Sequence, residues 1–448
     1  MRGFLGRASG RWLRRVFGRR ERVVPVVLPG TRRAWRRAGP GDPASRLHLL
    51  YLARRDEVQP AYFARSGWYP MPRPGVARAW RWFVGDVAVQ SLRLVRRNGR
   101  PVRKAAGVLV RRQVWDLLRM SVTVPSMPEK YYMFEWYHPE RRVLAGEYLH
   151  RHETKGGLYE LLAVSPELES VAPLNDKVGF AGHAHRAGLA VVKTLAVIGD
   201  GADRTGDGDR TGGGALPAAD LFVKPLAGRG GRGAQRWTYL PGTDSFRRAE
   251  RGGDVPRDRL LATLAGEVAS TGSQVMVQRC LVNQPDLADL ALDALATCRV
   301  ITILDERGEP EPVIAIIRMA AVRGAVVDNM HRGGLAAPVD VDTGVLGAAS
   351  GYAVAGPAPR HTHHPVTGGP IAGRKVPLWD GVRALAVEAH RAFRPRVLVG
   401  WDIGVSPSGP VLVEGNEQPG VDGLQRVHDR PLGSHRFGEL LAFHLLGG

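Results

Sequence analysis

The stretch Leu221 to Gly233, LFVKPLAGRGGRG, limits what this chain can be more than any other. Its three successive apolar residues, Leu221, Phe222 and Val223, predict a short buried strand that delivers Lys224 to a site, and Pro225 ends the run. Glycines at 228, 230, 231 and 233 follow. Without side chains there, backbone N–H groups can turn toward a ligand, so the loop can cradle phosphate oxygens while Lys224 supplies a point charge. A mobile surface hairpin has the same composition, and in a chain with 56 glycines the loop alone does not choose between the two. It is neither a Walker-type phosphate loop, which ends in Gly-Lys-Ser/Thr, nor a dinucleotide fingerprint opening a helix.

A length of 448 residues allows two or three domains with a sizeable core. The formal charge of +20 is concentrated at the start, where residues 1–37 are arginine-rich and Glu21 is the single acid. Such a surplus favours phosphates, an anionic membrane surface or acidic substrates. Phe4, Leu5, Ala8, Trp12, Leu13, Val16 and Phe17 fall at helical spacing among the arginines, which suits an amphipathic helix on a membrane or a partly disordered tail. With Cys280 and Cys298 the only cysteines, a disulfide framework is not expected. No window has the roughly 20 apolar residues of a spanning helix. The short VVPVVLPG stretch, broken by Pro25 and Pro29, makes a poor export signal. A cytoplasmic protein, with contact to the inner membrane face through its basic N-terminus, is the expectation.

Residues 1–45 then read as tail and linker, and 46–170 as a mostly helical region, with helical periodicity over Ala105 to Met120. Its aromatic cluster, Tyr131, Tyr132, Phe134, Trp136 and Tyr137, is expected to be packed core rather than a base-stacking platform, so nucleic acid is not the expected partner. From 171 to 448 the pattern changes. A capped helix ending at Gly188 precedes a strand over Ala190 to Ile198 and a Gly/Asp-rich connection. After the glycine loop, strands are predicted at Gln235 to Leu240, Gln274 to Leu281, Cys298 to Leu304 and Val313 to Met319, with a helix over 257–270. Helices over Trp379 to Phe393 and Arg436 to Leu446 flank a hairpin, Arg396 to Val405 and Pro410 to Glu414. Strands alternating with helices argue for an α/β protein, with hairpins marking antiparallel sheet.

The hairpin carries the second constellation, GWDIGVSPSGPVLVEGNEQPG. Asp402 lies on one strand, and Glu414 and Asn416 lie two apart on the next, so the latter pair share a face. Oxygen donors converging in this way suit a hard cation such as Mg²⁺ or Mn²⁺, completed by water and phosphate oxygens. His361, His363 and His364 have metal-like spacing but no carboxylate or cysteine cluster nearby, and a solvated loop is expected there.

Together these pieces resemble the ATP-grasp superfamily over about Asn175 to Leu424. DKVGFAGHAHRAGL looks like the segment carrying a first nucleotide-binding lysine, Lys177, and FVKPLAGRGGRG like the second, Lys224, with Gly228, Gly230, Gly231 and Gly233 covering phosphates. VMVQRCL resembles the hinge that contacts adenine, with Gln278 and the backbone of Cys280 and Leu281. WD followed by EGN resembles the metal-binding end. The order of CRVITILDERGEP, IIRM, VDNMHRGGL, HPVTG, PLW and the 400–420 stretch is similar, more narrowly, to the sugar-transfer-associated ATP-grasp proteins of polysaccharide biosynthesis.

The resemblance implies two α+β subdomains clasping ATP, with a lid over about 220–282, behind the helical N-terminal region. It implies an ATP- and Mg²⁺-dependent ligase that activates a carboxylate as an acyl phosphate, in cell-envelope or exopolysaccharide synthesis. Arg299 and Arg318 are the candidate catalytic cations; Asp328, Asn329, Gly333, Gly334 and Gln418 are candidate contacts to a small-molecule or sugar-linked substrate. Gly400 stands where D-alanine–D-alanine ligases carry an arginine, which moves the oxyanion-stabilising role toward Arg318. A kinase of a sugar or lipid-linked hydroxyl, and a non-catalytic nucleotide- or nucleic-acid-binding module, remain the alternatives.

Overall fold

A computed structural model describes residues 42–58, 82–124, 126–162, 174–199, 204–205, 216–228, 230–249, 253–352, 357 and 359–447. The amphipathic stretch expected over residues 1–20, and most of the Gly/Asp-rich connection after residue 199, lie outside them.

Helix α1 spans Pro43–Val58 and so begins inside the stretch expected to be linker. Asp42 starts it, accepting the N–H and the hydroxyl of Ser45, both at 3.0 Å. The periodicity over Ala105 to Met120 belongs to two helices. α2, Val89–Ala106, stops at Gly107, whose φ of 71° lets its N–H close on Arg103 O, and α3, Val110–Thr123, follows. Both helices are amphipathic, so the pattern runs across the turn that separates them. Their inner residues Val95, Val102, Leu117 and Met120 pack on Tyr131, Tyr132, Phe134, Trp136 and Tyr137, and the aromatic cluster is core as expected.

The remaining chain forms two antiparallel sheets with helices against them. α4, Lys177–Arg186, is capped by Asp176, which accepts the Val178 N–H at 3.1 Å. The following strand β1 is only Thr194–Ile198. The preceding residues, expected to extend it, instead join the edge of the other sheet through Val192 N–H to Leu412 O (3.1 Å) and Leu412 N–H to Ala190 O (2.8 Å). The next strands are β2 (Arg204–Thr205), β3 (Leu221–Pro225), β4 (Gln235–Leu240), β5 (Ser245–Arg248) and β6 (Val255–Pro256). Helix α5 (Leu260–Thr271) and β7 (Val275–Arg279) close this seven-stranded sheet, ordered β2-β1-β7-β3-β4-β5-β6. Its core is Leu221, Val223, Trp237, Phe246, Val277 and the buried side of α5. The sheet thus takes in strands upstream of the lid span expected at about 220–282.

The second sheet has six strands in the order β11-β10-β9-β8-β12-β13. They are β8 (Thr297–Leu304), β9 (Pro310–Met319), β10 (Leu335–Val339), β11 (Ser350–Gly351), β12 (Leu398–Ser406) and β13 (Gly409–Asn416). Helix α6, Trp379–Ala392, covers one face through Trp379, Val382 and Ala386, packed on Val300, Ala315, Ile317 and Trp401. The other face, with Ile301, Ile303 and Ile316, meets α7 (Val421–His428), α8 (Arg436–Leu446) and Leu47 and Tyr51 of α1. That second face extends beyond the helices into a cleft, whose other side is formed by the seven-stranded sheet.

Buried polar links fasten the helical N-terminal region to α7. Lys130 Nζ donates to Asp422 Oδ2 at 2.6 Å, Arg426 reaches Glu135 (3.2 Å) and Met133 O (3.0 Å), and Gln425 both donates to Leu149 O and accepts its N–H. Groups so buried and so paired are costly to break, because each loss strands a partner without water. The region is therefore an integral wall of the molecule.

Candidate active site

The two sheets enclose a cleft of about 1990 Å³. Strand register explains why its charged groups meet. Arg299 on β8 lies opposite Asp402 on β12, which lies opposite Glu414 on β13. The three form one row across three strands, on one face. Arg318 on β9 lies opposite Thr297, two residues from Arg299, and so shares that face. Asn416 is two residues beyond Glu414, opposite Gly400. A register shift after Asp402 sets it against Glu414 while Ile403 already pairs with Leu412, a bulge that re-aims the row at its acidic end.

Asp402 is 3 % exposed and gripped by two guanidiniums. Arg299 makes a two-pronged contact, Nε to Oδ1 and Nη2 to Oδ2 (2.6 Å), and Arg318 Nη2 lies 3.1 Å from Oδ2. Burial pushes the Asp402 carboxyl up, but Arg299 and Arg318 outweigh it and hold the group below its usual range. Arg318 is itself tied to Thr297 Oγ1 through Nε (3.0 Å) and Nη2 (2.6 Å), and lies 3.5 Å from Asp328. Asp328, expected to contact substrate, lines the cleft as a largely buried residue and accepts both the N–H and the hydroxyl of Thr297. Burial raises its pKa against the pull of Arg318.

Gly400 has a structural reason. A Cβ there would lie 3.0 Å from Ile301 Cδ1 and from Pro419 Cβ, and 3.5 Å from Arg299 Cδ. The space beside Asp402 that an arginine at 400 would need is taken, and Arg299 of the neighbouring strand supplies the guanidinium.

Lys224 leaves β3 on the cleft side. Burial, followed by repulsion from Lys177, lowers its pKa to about 8 against the attraction of Glu414 and Asp402. The Lys177 ammonium donates to Pro225 O (2.5 Å) and Leu226 O (3.1 Å), anchoring the root of the glycine loop. The loop meets the opposite wall: Asn329 Nδ2 donates to Gly230 O at 2.9 Å and Arg332 Nη1 to Gly231 O at 3.4 Å. Asn329 also starts the turn at Met330–Arg332 by accepting the His331 N–H, so it works as a latch on the loop. Gly231 has φ 69°, and a Cβ on it would lie 3.0 Å from Val327. Gly231→Ala should strain the latched loop by about 1–2 kcal/mol, and thermal unfolding should show it as a lowered melting temperature.

Gln278, Cys280 and Leu281 line the far end of the cleft on β7 and the segment after it. Gln278 Nε2 donates to Val192 O at 3.3 Å, and Cys280 N–H donates to Asp220 O. Burial raises both thiols, Cys298 to about 12, which keeps them protonated. Gly333 and Gly334 do not line the cleft; a Cβ on Gly334 would lie 2.6 Å from Asp328 O, so they serve the turn. His364 is buried and bonded to Ala320 O at 2.7 Å, which makes it a brace rather than part of a solvated loop.

Sequence reasoning missed one wall altogether. Arg151, Lys155 and Glu160 of the N-terminal region line the cleft beside His331, Arg332 and Tyr352. Gln418 fixes them there, accepting the Gly156 N–H at 3.0 Å and donating to Glu160 at 2.6 Å. The cationic character of HRHETKGG was the available signal; nothing local told where it would dock.

The donor chemistry fits a divalent cation at Glu414 and Asn416. Among the described residues the Glu414 carboxylate has no hydrogen-bond partner and faces Lys177 and Lys224. Asn416 uses its Nδ2 on Gly400 O at 3.3 Å, which leaves its oxygen free. Asp402 has most of its lone pairs committed to arginine, and the described residues contain no cluster of three His, Cys, Asp or Glu able to hold a metal alone. A cation here would complete its shell with water and phosphate oxygens, as Mg²⁺ does.

Two antiparallel sheets closing on a cleft with a glycine loop, paired lysines and a carboxylate–amide edge define a nucleotide-clasping fold. Residues 165–436, more than half of the chain, match the model of the sugar-transfer associated ATP-grasp family, and the chain belongs to that family. Among solved structures it is similar to the D-alanine–D-alanine ligase of Bacillus anthracis complexed with ATP, at 13 % identity and a TM-score of 0.34, over 62 % of this chain and 67 % of that one. For the biotin carboxylase β,γ-ATP complex of Campylobacter jejuni the values are 13 %, 0.35, 63 % and 48 %. For the VanG D-Ala:D-Ser ligase of Enterococcus faecalis they are 12 %, 0.33, 61 % and 61 %. The chain thus spans about two thirds of the first of these and about half of the second. No curated protein matches it in sequence.

Proposed function

We propose that the protein is an ATP- and Mg²⁺-dependent ligase that activates a carboxylate as an acyl phosphate for attack by an amine or other nucleophile. The observation that supports this best is the charge gathered where the row meets the lysines. Among the described residues, Lys177, Lys224, Arg299 and Arg318 outnumber by one the carboxylates they interact with, Asp402, Glu414 and Asp328, a surplus that substrate phosphate and carboxylate would neutralise. Phosphoryl transfer asks the protein for this neutralisation and for positioning more than for covalent chemistry.

In this reading Lys224 and the glycine loop bind the phosphates, and the segment from Gln278 to Leu281 holds the base. Glu414 and Asn416 would hold Mg²⁺, which supplies further charge neutralisation between the phosphates. Arg318, fixed by Thr297 and Asp328, steadies the charge moving toward the acceptor. A carboxylate oxygen attacks the γ-phosphorus and the bond to ADP breaks. The nucleophile, losing its proton, then attacks the acyl carbon, and the acyl–oxygen bond breaks to release inorganic phosphate. Arg151, Lys155 and Arg332 at the other end suit an acidic, sugar-linked second substrate, and the family's association with sugar transfer is the reason to place the reaction in polysaccharide or envelope synthesis, on the cytoplasmic side where ATP is available.

Incubation with ATP, Mg²⁺, hydroxylamine and a panel of sugar acids and amino acids should give ADP and a hydroxamate. ADP without a hydroxamate would assign the kinase reading instead, and AMP release excludes both. Glu414→Gln should lower turnover roughly 10²–10³-fold and weaken Mn²⁺ binding, followed by electron paramagnetic resonance, with unchanged melting.

A further inference from the structure

The outer face of the α2–α3 pair is strongly basic. On α2, Arg93, Arg96, Arg97, Arg100, Arg103 and Lys104 are all exposed. At 3.6 residues per turn they fall within an arc of roughly 120°. The buried residues of the same helix, Ser91, Val95, Asn98, Gly99 and Val102, occupy the opposite side. On α3, Arg111, Arg112 and Arg119 share an exposed face with Trp115. Neither helix carries an exposed carboxylate, because Asp116, the single acid of the two, is buried between Arg112 (3.0 Å) and Arg142. Among the described residues none of the six α2 cations has an ion-pair partner.

Like charges packed at this density repel one another, at a cost of a few tenths of a kcal/mol for each i,i+4 pair. A polyanionic partner would remove that cost. Apolar residues distinguish which one. Trp115 is 62 % exposed, Leu92 57 %, and Leu109, at the turn between the helices, 43 %. Leucines have nothing to contact on a phosphodiester backbone, where interfaces are polar. At a lipid surface the same residues enter the headgroup–acyl boundary while arginines meet anionic headgroups. No described helix is long and apolar enough to cross a membrane.

We propose that the α2–α3 face docks the protein on an anionic phospholipid bilayer. The inner side of the same pair packs through the aromatic core onto Tyr352, a wall of the ATP cleft, so docking would fix the cleft's second-substrate end relative to the membrane.

The test is co-sedimentation of the full chain with phosphatidylcholine vesicles, with and without one third phosphatidylglycerol. Binding should require the anionic lipid and weaken with salt. Replacing three exposed cations, Arg96→Glu, Arg100→Glu and Arg103→Glu, should lower the partition coefficient at least about a hundredfold, from roughly a factor of five per charge near such a surface. Leu92→Ser with Trp115→Ser should lower it several-fold while keeping the salt dependence. Both variants should keep wild-type melting and Mg-ATP binding, since none of these residues touches the cleft. Wild-type vesicle binding by the triple variant, or duplex DNA captured more tightly than the vesicles, would overturn the proposal.

Discussion

Lys224→Ala is expected to weaken Mg-ATP binding about ten- to a hundredfold, the worth of one or two charge-assisted hydrogen bonds at 1.5–3 kcal/mol, and to lower turnover further. It should do so without unfolding the protein. The side chain leaves a strand whose register is fixed elsewhere, by Leu221 and Val223 in the core and by pairing to both β4 and β7. Its ammonium is moreover a burden to the fold, since burial lowers its pKa from 10.5 to about 8. A base with a depressed folded-state pKa is held protonated at neutral pH against the preference of the fold. The unfolded chain binds more protons than the folded one between about pH 8 and 10.5, so this group makes stability rise with pH across that window. The alanine variant should lack that slope and melt at or slightly above the wild-type temperature at pH 7. Nucleotide phosphates would restore the proton, so binding at pH 9 should take up close to one proton in the wild type and fewer in the variant. Calorimetry in buffers of different ionisation enthalpy measures this directly. Unchanged proton uptake in the variant would move the phosphate contact away from Lys224.

The same lysine marks how far local sequence reaches. An apolar triplet ending in Lys-Pro, followed by glycines at fixed offsets, encodes a strand, its end and a loop of left-handed backbone, all local properties. The parity of Glu414 and Asn416 is equally legible, because the side-chain period of a strand is two. The pairing of Arg299 with Asp402 is not: it depends on which strands become neighbours, across 103 residues of sequence. Lys130 and Asp422, 292 residues apart, carry no local sign of each other either, and through them the helical region becomes a wall of the cleft. Asp328 and Asn329 stand out as polar residues in a glycine-bearing loop, but polarity does not say whether a group faces substrate, braces an arginine or latches a lid. In the folded protein Asp328 braces Arg318 and Asn329 holds the glycine loop, and both also line the cleft. Gly400 reads along the chain as a missing arginine, and only the neighbouring strand, with Arg299 in that space, explains it.

Arg318→Gln should be the most damaging single change in the row, and its two effects can be separated. Removing the guanidinium leaves Asp328 buried without its counter-charge and takes one of the two arginines from Asp402. Breaking one partner of a buried ion pair costs about 3–5 kcal/mol, enough to lower the melting temperature measurably. If Arg318 also stabilises the transferring phosphoryl group, turnover should fall roughly 10²–10³-fold beyond any loss of folded protein. Adding Asp328→Asn removes the stranded charge while keeping an oxygen to accept from Thr297. The double variant Arg318→Gln/Asp328→Asn should therefore recover much of the lost stability and none of the lost turnover. Asp328→Asn alone should lose little turnover, since Thr297 and Asp402 still hold Arg318 in the row. Recovery of activity together with stability in the double variant would make Arg318 a structural residue and leave Arg299 and Lys224 as the charges that serve the reaction.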